Sequence, residues 1–151
     1  MKDNTYVIIM AGGIGSRFWP YSRSTRPKQF LDILDTGESL IQMTNQRFLK
    51  ICPQKNIYVV TNQSYYKLVK QHLPKLKDDQ ILLEPEGLNT APCIAYGCYK
   101  IASKDPNATV VVSPADHLVM NQNQFAKIII KAVGEAASSD HMLTVGIKPT
   151  R

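Results

Sequence analysis

The sequence predicts an α/β fold built on a doubly wound, mainly parallel sheet, and three observations carry that expectation. Short β-branched apolar runs alternate with stretches of helical periodicity along the chain, which calls for parallel strands joined by right-handed helical crossovers. The length, 151 residues, suits one domain with one core. No internal repeat, low-complexity tract or linker divides it.

The elements follow in order. Tyr6-Val7-Ile8-Ile9-Met10 is uniformly apolar, the pattern of a strand covered on both faces. A glycine loop follows, then a helix near Ser39 to Lys50; Met43 and Phe48 here, and Cys93 and Cys98 further on, lie on apolar helical faces and are read as core. Ile57-Tyr58-Val59-Val60 is a second strand, after which Asn62 caps a helix that ends before Pro74. Gln80 to Glu84 is a short third strand. Asn89-Thr90-Ala91-Pro92 then has the form of an N-cap with proline in the first turn, and Ile94, Cys98, Ile101 and Ala102 share one face of the helix behind it. Thr109 to Ser113 is a fourth strand, Phe125 to Ala136 repeats apolar residues at helical spacing, and Met142 to Ile147 is a fifth strand.

Composition narrows the function classes. With 44% apolar and 20% charged residues the chain can build a core, which excludes wholesale disorder. The longest apolar run, Tyr6 to Ala11, is far shorter than the roughly 18 to 20 residues of a membrane span, and the first five residues do not resemble a secretory leader. Three cysteines without C-x-x-C spacing argue against a disulfide framework and a zinc site, so a cytoplasmic location is expected. The net charge of +6 is unevenly spread: residues 1–77 hold twelve Lys/Arg against four Asp/Glu, and residues 78–151 hold six against eight. Arg17, Arg23, Arg26 and Lys28 crowd beside the glycine loop, whereas the later lysines are dispersed over helix surfaces. A tight cluster suits a small polyanion. Duplex nucleic acid would call for a long basic stripe or a reading helix, so no nucleic-acid partner is expected.

In doubly wound sheets ligands gather beyond the carboxyl ends of the strands. After the first strand comes Ala11-Gly12-Gly13-Ile14-Gly15-Ser16-Arg17. A tight turn accounts for one glycine, but three glycines followed by Arg17 and Lys28 point to a backbone nest for phosphate. The loop lacks the G-x-x-x-x-G-K-[ST] of a Walker A motif, and Phe18 stands where a dinucleotide fingerprint needs its third glycine. After the fourth strand comes Pro114-Ala115-Asp116-His117, in which Asp116 is either a turn cap or a ligand for a hard cation. His117 has no second histidine nearby and is assigned a loop-stabilising hydrogen bond. Without a G-x-S-x-G elbow, Ser113, Asp116 and His117 do not make a hydrolase triad.

The run Met10 to Arg23, continuing through Arg26-Pro27-Lys28-Gln29-Phe30-Leu31, resembles the signature of sugar-1-phosphate nucleotidylyltransferases. Its Trp19-Pro20-Tyr21-Ser22-Arg23 and Pro27-Lys28-Gln29-Phe30-Leu31 pieces are similar to mannose-1-phosphate guanylyltransferases in particular. Glu84 to Pro92, Ser113 to His117 and the terminal Gly146 to Arg151 agree with the same family. Phe18 and Tyr21 stand where leucines are common, and Leu88 where the family often has arginine.

The resemblance implies a Rossmann-like fold of the nucleotide-diphospho-sugar transferase type. It implies that mannose 1-phosphate attacks GTP in the presence of Mg²⁺, giving GDP-mannose and pyrophosphate. It places Ala11, Gly12, Gly13, Gly15 and Ser16 on the nucleotide, Arg17 on the departing pyrophosphate, Lys28 on the α-phosphate and Asp116 on the metal. Glu84, Pro85, Gly87, Asn89 and Thr90 fall to the base, with Glu84 or Glu86 accepting from guanine. By pattern alone that loop serves equally as a capped helix entry. Family members carry a longer catalytic domain, so residues 1–151 are expected to form its amino-terminal, nucleotide-binding part and to self-associate through an exposed apolar edge. Alternatives are a non-catalytic module that senses guanine nucleotides or nucleotide sugars, and a related nucleotidylyltransferase with another base or sugar.

Overall fold

The computed structural model describes residues 4–146. Strands β1 (Thr5–Met10), β2 (Ile57–Asn62), β3 (Ile81–Glu84) and β4 (Thr109–Pro114) alternate with helices α1 (Leu40–Leu49), α2 (Tyr66–His72), α3 (Thr90–Ala102) and α4 (Gln122–Ala136). All strand pairings are parallel, in the order β3-β2-β1-β4. The predicted doubly wound α/β class is the one observed. Successive strand residues point to opposite faces, so β1 divides its side chains between two layers. Val7 and Ile9 pack with Ile41, Phe48, Val69 and Ile129 from α1, α2 and α4. Ile8 packs with Tyr58, Val60 and the Cys93 and Ile101 of α3. Helices therefore cover both faces, which explains why β1 and β2 are almost uniformly apolar.

Local chemistry sets the element ends. Ser39 and Gln42 form a capping box at the start of α1, where the Ser39 N–H donates to Gln42 Oε1 at 2.8 Å. Asn62 Oδ1 accepts from the Tyr65 N–H at 3.2 Å, capping a 3₁₀ turn that runs into α2. Met43 is only half-buried, whereas Phe48 is fully buried as expected.

Three expectations need correction. The fully buried stripe of α3 is Cys93, Gly97 and Ile101; Cys98 packs against the same cluster half-buried, as expected of a core residue, whereas Ile94 is only half-buried and Ala102 is exposed. Gly97 sets that register, since a Cβ there would lie 2.7 Å from Ile8 Cδ1. Asn89 occupies the N-cap position of α3 but makes no side-chain cap bond, and its φ of 69° lies in the left-handed region that asparagine tolerates better than most residues. Residues 142–146 form no strand: Met142 is 99% exposed and no ladder takes them up, so their apolar character alone does not suffice. Ile147 lies outside the described residues, as do the family-like residues 148–151.

The chain winds outward from β1 through β2 to β3, then returns across the sheet to place β4 on the other side of β1. The winding reverses at β1 and β4, the position where such sheets bind ligands.

Candidate functional site

The loops after β1, β3 and β4 enclose a cavity of about 350 Å³ at this switch point. Of the residues expected on the nucleotide, Ala11, Gly12, Gly13, Gly15, Glu84, Gly87, Asn89 and Thr90 line it, as does Asp116. A smaller cavity of about 200 Å³, walled by α1 and the end of α2, contains none of them. The three loops converge on the larger one.

The glycine loop is held by its carbonyls. Gln29, buried at 4% exposure, donates both Nε2 hydrogens, to Ala11 O at 2.9 Å and to Gly13 O at 3.0 Å. Thr61 Oγ1 also donates to Ala11 O, Asn62 Nδ2 reaches Gly12 O at 3.4 Å, and Ser22 Oγ donates to Gly15 O at 2.5 Å. The N–H groups of Gly12, Gly13 and Gly15 have no acceptor among the described residues. Satisfied carbonyls and unsatisfied amides on one cavity wall make an anion-binding surface. One of the glycines is sterically required: Gly15 combines a φ of 71° with a clash at 2.6 Å against Lys28 Cβ, whereas a Cβ on Gly12 would meet only the movable end of Glu84, its Oε2 at 2.9 Å. Gly13 has no such constraint, having open space where a Cβ would stand.

Lys28 enters on a 3₁₀ turn, Lys28–Phe30, and its ammonium lies 3.1 Å from Asp116 Oδ2 and 4.7 Å from the Phe18 ring centroid. The residues singled out as phosphate cation and metal ligand are thus ion-paired with each other. Their side chains retain 22% and 36% exposure, so the pair remains open to ligand and solvent. Asp116 carries the only carboxylate of this loop, and the described residues include no group of three or more metal-type side chains. One carboxylate facing a phosphate-binding wall does not make a stand-alone cation cage. It does fit Mg²⁺, which keeps its waters and is commonly held by one or two carboxylates together with substrate phosphates.

Other expected residues are placed differently. Ser16 and Arg17 sit exposed on a 3₁₀ turn, Ser16–Phe18, outside the cavity lining, and Pro85 is likewise exposed. Arg23 and Arg26 are exposed and close a small turn through reciprocal backbone hydrogen bonds of 3.1 and 2.9 Å. Glu84 lines the cavity and Glu86 does not. Burial, reinforced by the neighbouring Glu84 carboxylate, pushes the Cys93 thiol up to about 12, so it stays protonated and is no nucleophile at neutral pH. His117 stabilises its loop through its backbone carbonyl, which accepts from Arg47 Nη2 at 2.9 Å.

Sequence reasoning missed the residues that hold the loops: Gln29, Thr61 and Asn62 on the glycine loop, and Thr44 and Arg47 on the Asp116 loop. Thr44 Oγ1 donates to Ala115 O at 3.1 Å. A polar residue within or beside an apolar run is the one signal, present at Arg47 and Thr61, and it does not show which carbonyl the fold brings to them. Arg47 sits beside Phe48 on α1, and Thr61 directly follows the apolar run of β2.

Known proteins share this architecture. The nucleotidyl transferase family profile matches residues 6–151. A mannose-1-phosphate guanylyltransferase of Salmonella montevideo is 40% identical over 145 residues, covering 95% of this chain and 30% of that protein. One from Escherichia coli is 37% identical over 160 residues, covering 99% of this chain and 32% of its own length. A crystal structure of a mannose-1-phosphate geranyltransferase from Thermus thermophilus superposes with a TM-score of 0.78 at 30% identity, over 88% of this chain and 38% of that one. The chain spans about a third of the length of the curated relatives it matches. The family profile leaves out only the first five residues, and the site sits at the switch point of the sheet: the chain belongs to the nucleotidyl transferase family.

Proposed function

We propose that residues 1–151 form the amino-terminal, nucleotide-binding part of a mannose-1-phosphate guanylyltransferase catalytic domain, which transfers GMP from GTP to mannose 1-phosphate. The observation that carries this reading is the wall of free amides at Gly12, Gly13 and Gly15 facing a cavity lined also by Asp116, whose carboxylate pairs with Lys28 beside that lining. A phosphate oxygen of mannose 1-phosphate attacks the α-phosphorus of GTP. The bond from that phosphorus to the bridging oxygen breaks, and pyrophosphate leaves with the electron pair. Such a displacement needs positioning and charge stabilisation more than a protein nucleophile.

The glycine-loop amides hold the triphosphate. Lys28 exchanges the Asp116 carboxylate for the α-phosphate, and Arg17, which has no ion-pair partner among the described residues, neutralises the departing pyrophosphate. Asp116 holds Mg²⁺, which when bound supplies positive charge to the phosphates. Glu84, already in the cavity, accepts from the N1–H and N2–H₂ edge of guanine, while Asn89 or the backbone near Gly87 serves O6. Self-association belongs to the same reading, supported by exposed apolar side chains such as Met120 and Ile130.

Isothermal titration with GTP and ATP, each with and without Mg²⁺, tests the assignment. A site that pairs with a base edge leaves its own buried groups unsatisfied when the wrong base enters. GTP is expected to bind more tightly than ATP, and only with Mg²⁺ at full affinity; equal affinities would remove guanine recognition from the reading.

A further inference from the structure

Arg47 on α1 is 2% exposed, and none of its partners is a carboxylate. Its Nη2 donates to His117 O at 2.9 Å and to Thr44 Oγ1 at 3.3 Å, its guanidinium lies 5.3 Å from the centroid of the Phe125 ring, and its Nε has no hydrogen-bond partner. A buried cation without a counter-charge is costly, and burial draws this guanidinium below the ordinary arginine range. Packing does not require it, since an apolar side chain of similar length would fill the space beside Phe125 without that cost.

What the guanidinium achieves lies on the loop after β4. Thr44, which receives Arg47 Nη2, itself donates to Ala115 O at 3.1 Å. The carbonyls on both sides of Asp116, those of Ala115 and His117, are therefore held from a single turn of α1. Asp116 is left with its carboxylate turned to the cavity and Lys28. Groups that orient a ligand from behind commonly set its metal affinity, and their loss costs about 10- to 100-fold.

We propose that Arg47, acting with Thr44, is a positioning residue that fixes the backbone of Asp116 and thereby sets the affinity of that carboxylate for a divalent cation brought by the nucleotide. This rests on the reading of Asp116 as the cation ligand.

The test titrates Mn²⁺, followed by the paramagnetic resonance of the free ion, into the full chain with saturating GTP, for wild type, Arg47→Met, Arg47→Lys and Thr44→Val. Thermal midpoints are recorded in parallel. Arg47→Met is expected to weaken Mn²⁺ binding by about tenfold or more while its midpoint holds or rises, because a buried unpaired charge has been removed. Arg47→Lys should recover part of the affinity and Thr44→Val should lose affinity too. A merely structural role would make affinity and midpoint fall together, and that result would overturn the proposal. So would wild-type affinity in a folded Arg47→Met or, if that variant does not fold, in Thr44→Val. A wild-type chain with no GTP-dependent Mn²⁺ binding would overturn the reading of Asp116 and this inference with it, whereas wild-type binding with unmoved variants would overturn the inference alone.

Discussion

Lys28 and Asp116 form one charge-balanced unit, their charged atoms 3.1 Å apart beside the Phe18 ring. A partly exposed pair of this kind adds little to stability, and on the proposed reading a triphosphate would separate its two groups. The two halves should fail differently. In a catalytically complete protein, Lys28→Ala is expected to lower kcat by roughly 10²- to 10³-fold, the cost of removing a group that stabilises developing charge. Asp116→Asn should mainly raise the Mg²⁺ concentration needed for half-activity. Steady-state kinetics across a Mg²⁺ series separates the two effects, and wild-type behaviour in both variants would return these residues to a structural role.

At the scale of elements, the four parallel strands and four helices are legible because each carries its own pattern: uniform apolar runs for β1 and β2, an N-cap serine before α1, helical spacing in α4. The stripe on α3 differs from the expected one because periodicity cannot show that Gly97 is the residue pressed against Ile8. The expected strand beginning at Met142 is absent for a related reason, since β-propensity needs a neighbour to become a strand. Of the site, the glycine loop, Lys28, Asp116 and Glu84 can be found from residue type and position after a strand. Gln29, Thr44, Arg47 and Thr61 cannot, because their role depends on which carbonyl the fold brings to them. The buried thiols give this layering a pH signature. Burial pushes Cys52, in the layer on the α1 side of the sheet, up to about 12 from an ordinary 9.0, and Cys93 on the inward face of α3 is likewise raised to about 12. Between those pH values the unfolded chain gives up these protons and the folded chain does not, so stability falls as pH rises from about 9 toward 12. Thermal melts over that range should show a steeper decline for wild type than for Cys52→Ala, and parallel slopes would mean that the thiol is not shielded as the packing indicates.

For the whole molecule, the reversal of winding between β1 and β4 brings three loops, distant in sequence, around one cavity. The relatives it matches are about three times as long, and no helix among the described residues is long and apolar enough to cross a membrane. On the proposed reading nucleotide binding draws on these three loops, so binding rather than turnover is the quantity to measure on this chain. By the same proposed reading the triphosphate sits on the amides of the glycine loop, beside Lys28 and Asp116. Amide chemical shifts of the ¹⁵N-labelled chain, followed during titration with GTP and Mg²⁺, test it most directly. The largest changes are expected on Gly12, Gly13 and Gly15, followed by Asp116 and its neighbours. Saturable changes confined to the second cavity, around Gln42 and His72, or GTP binding that leaves the three glycine amides unmoved, would contradict it.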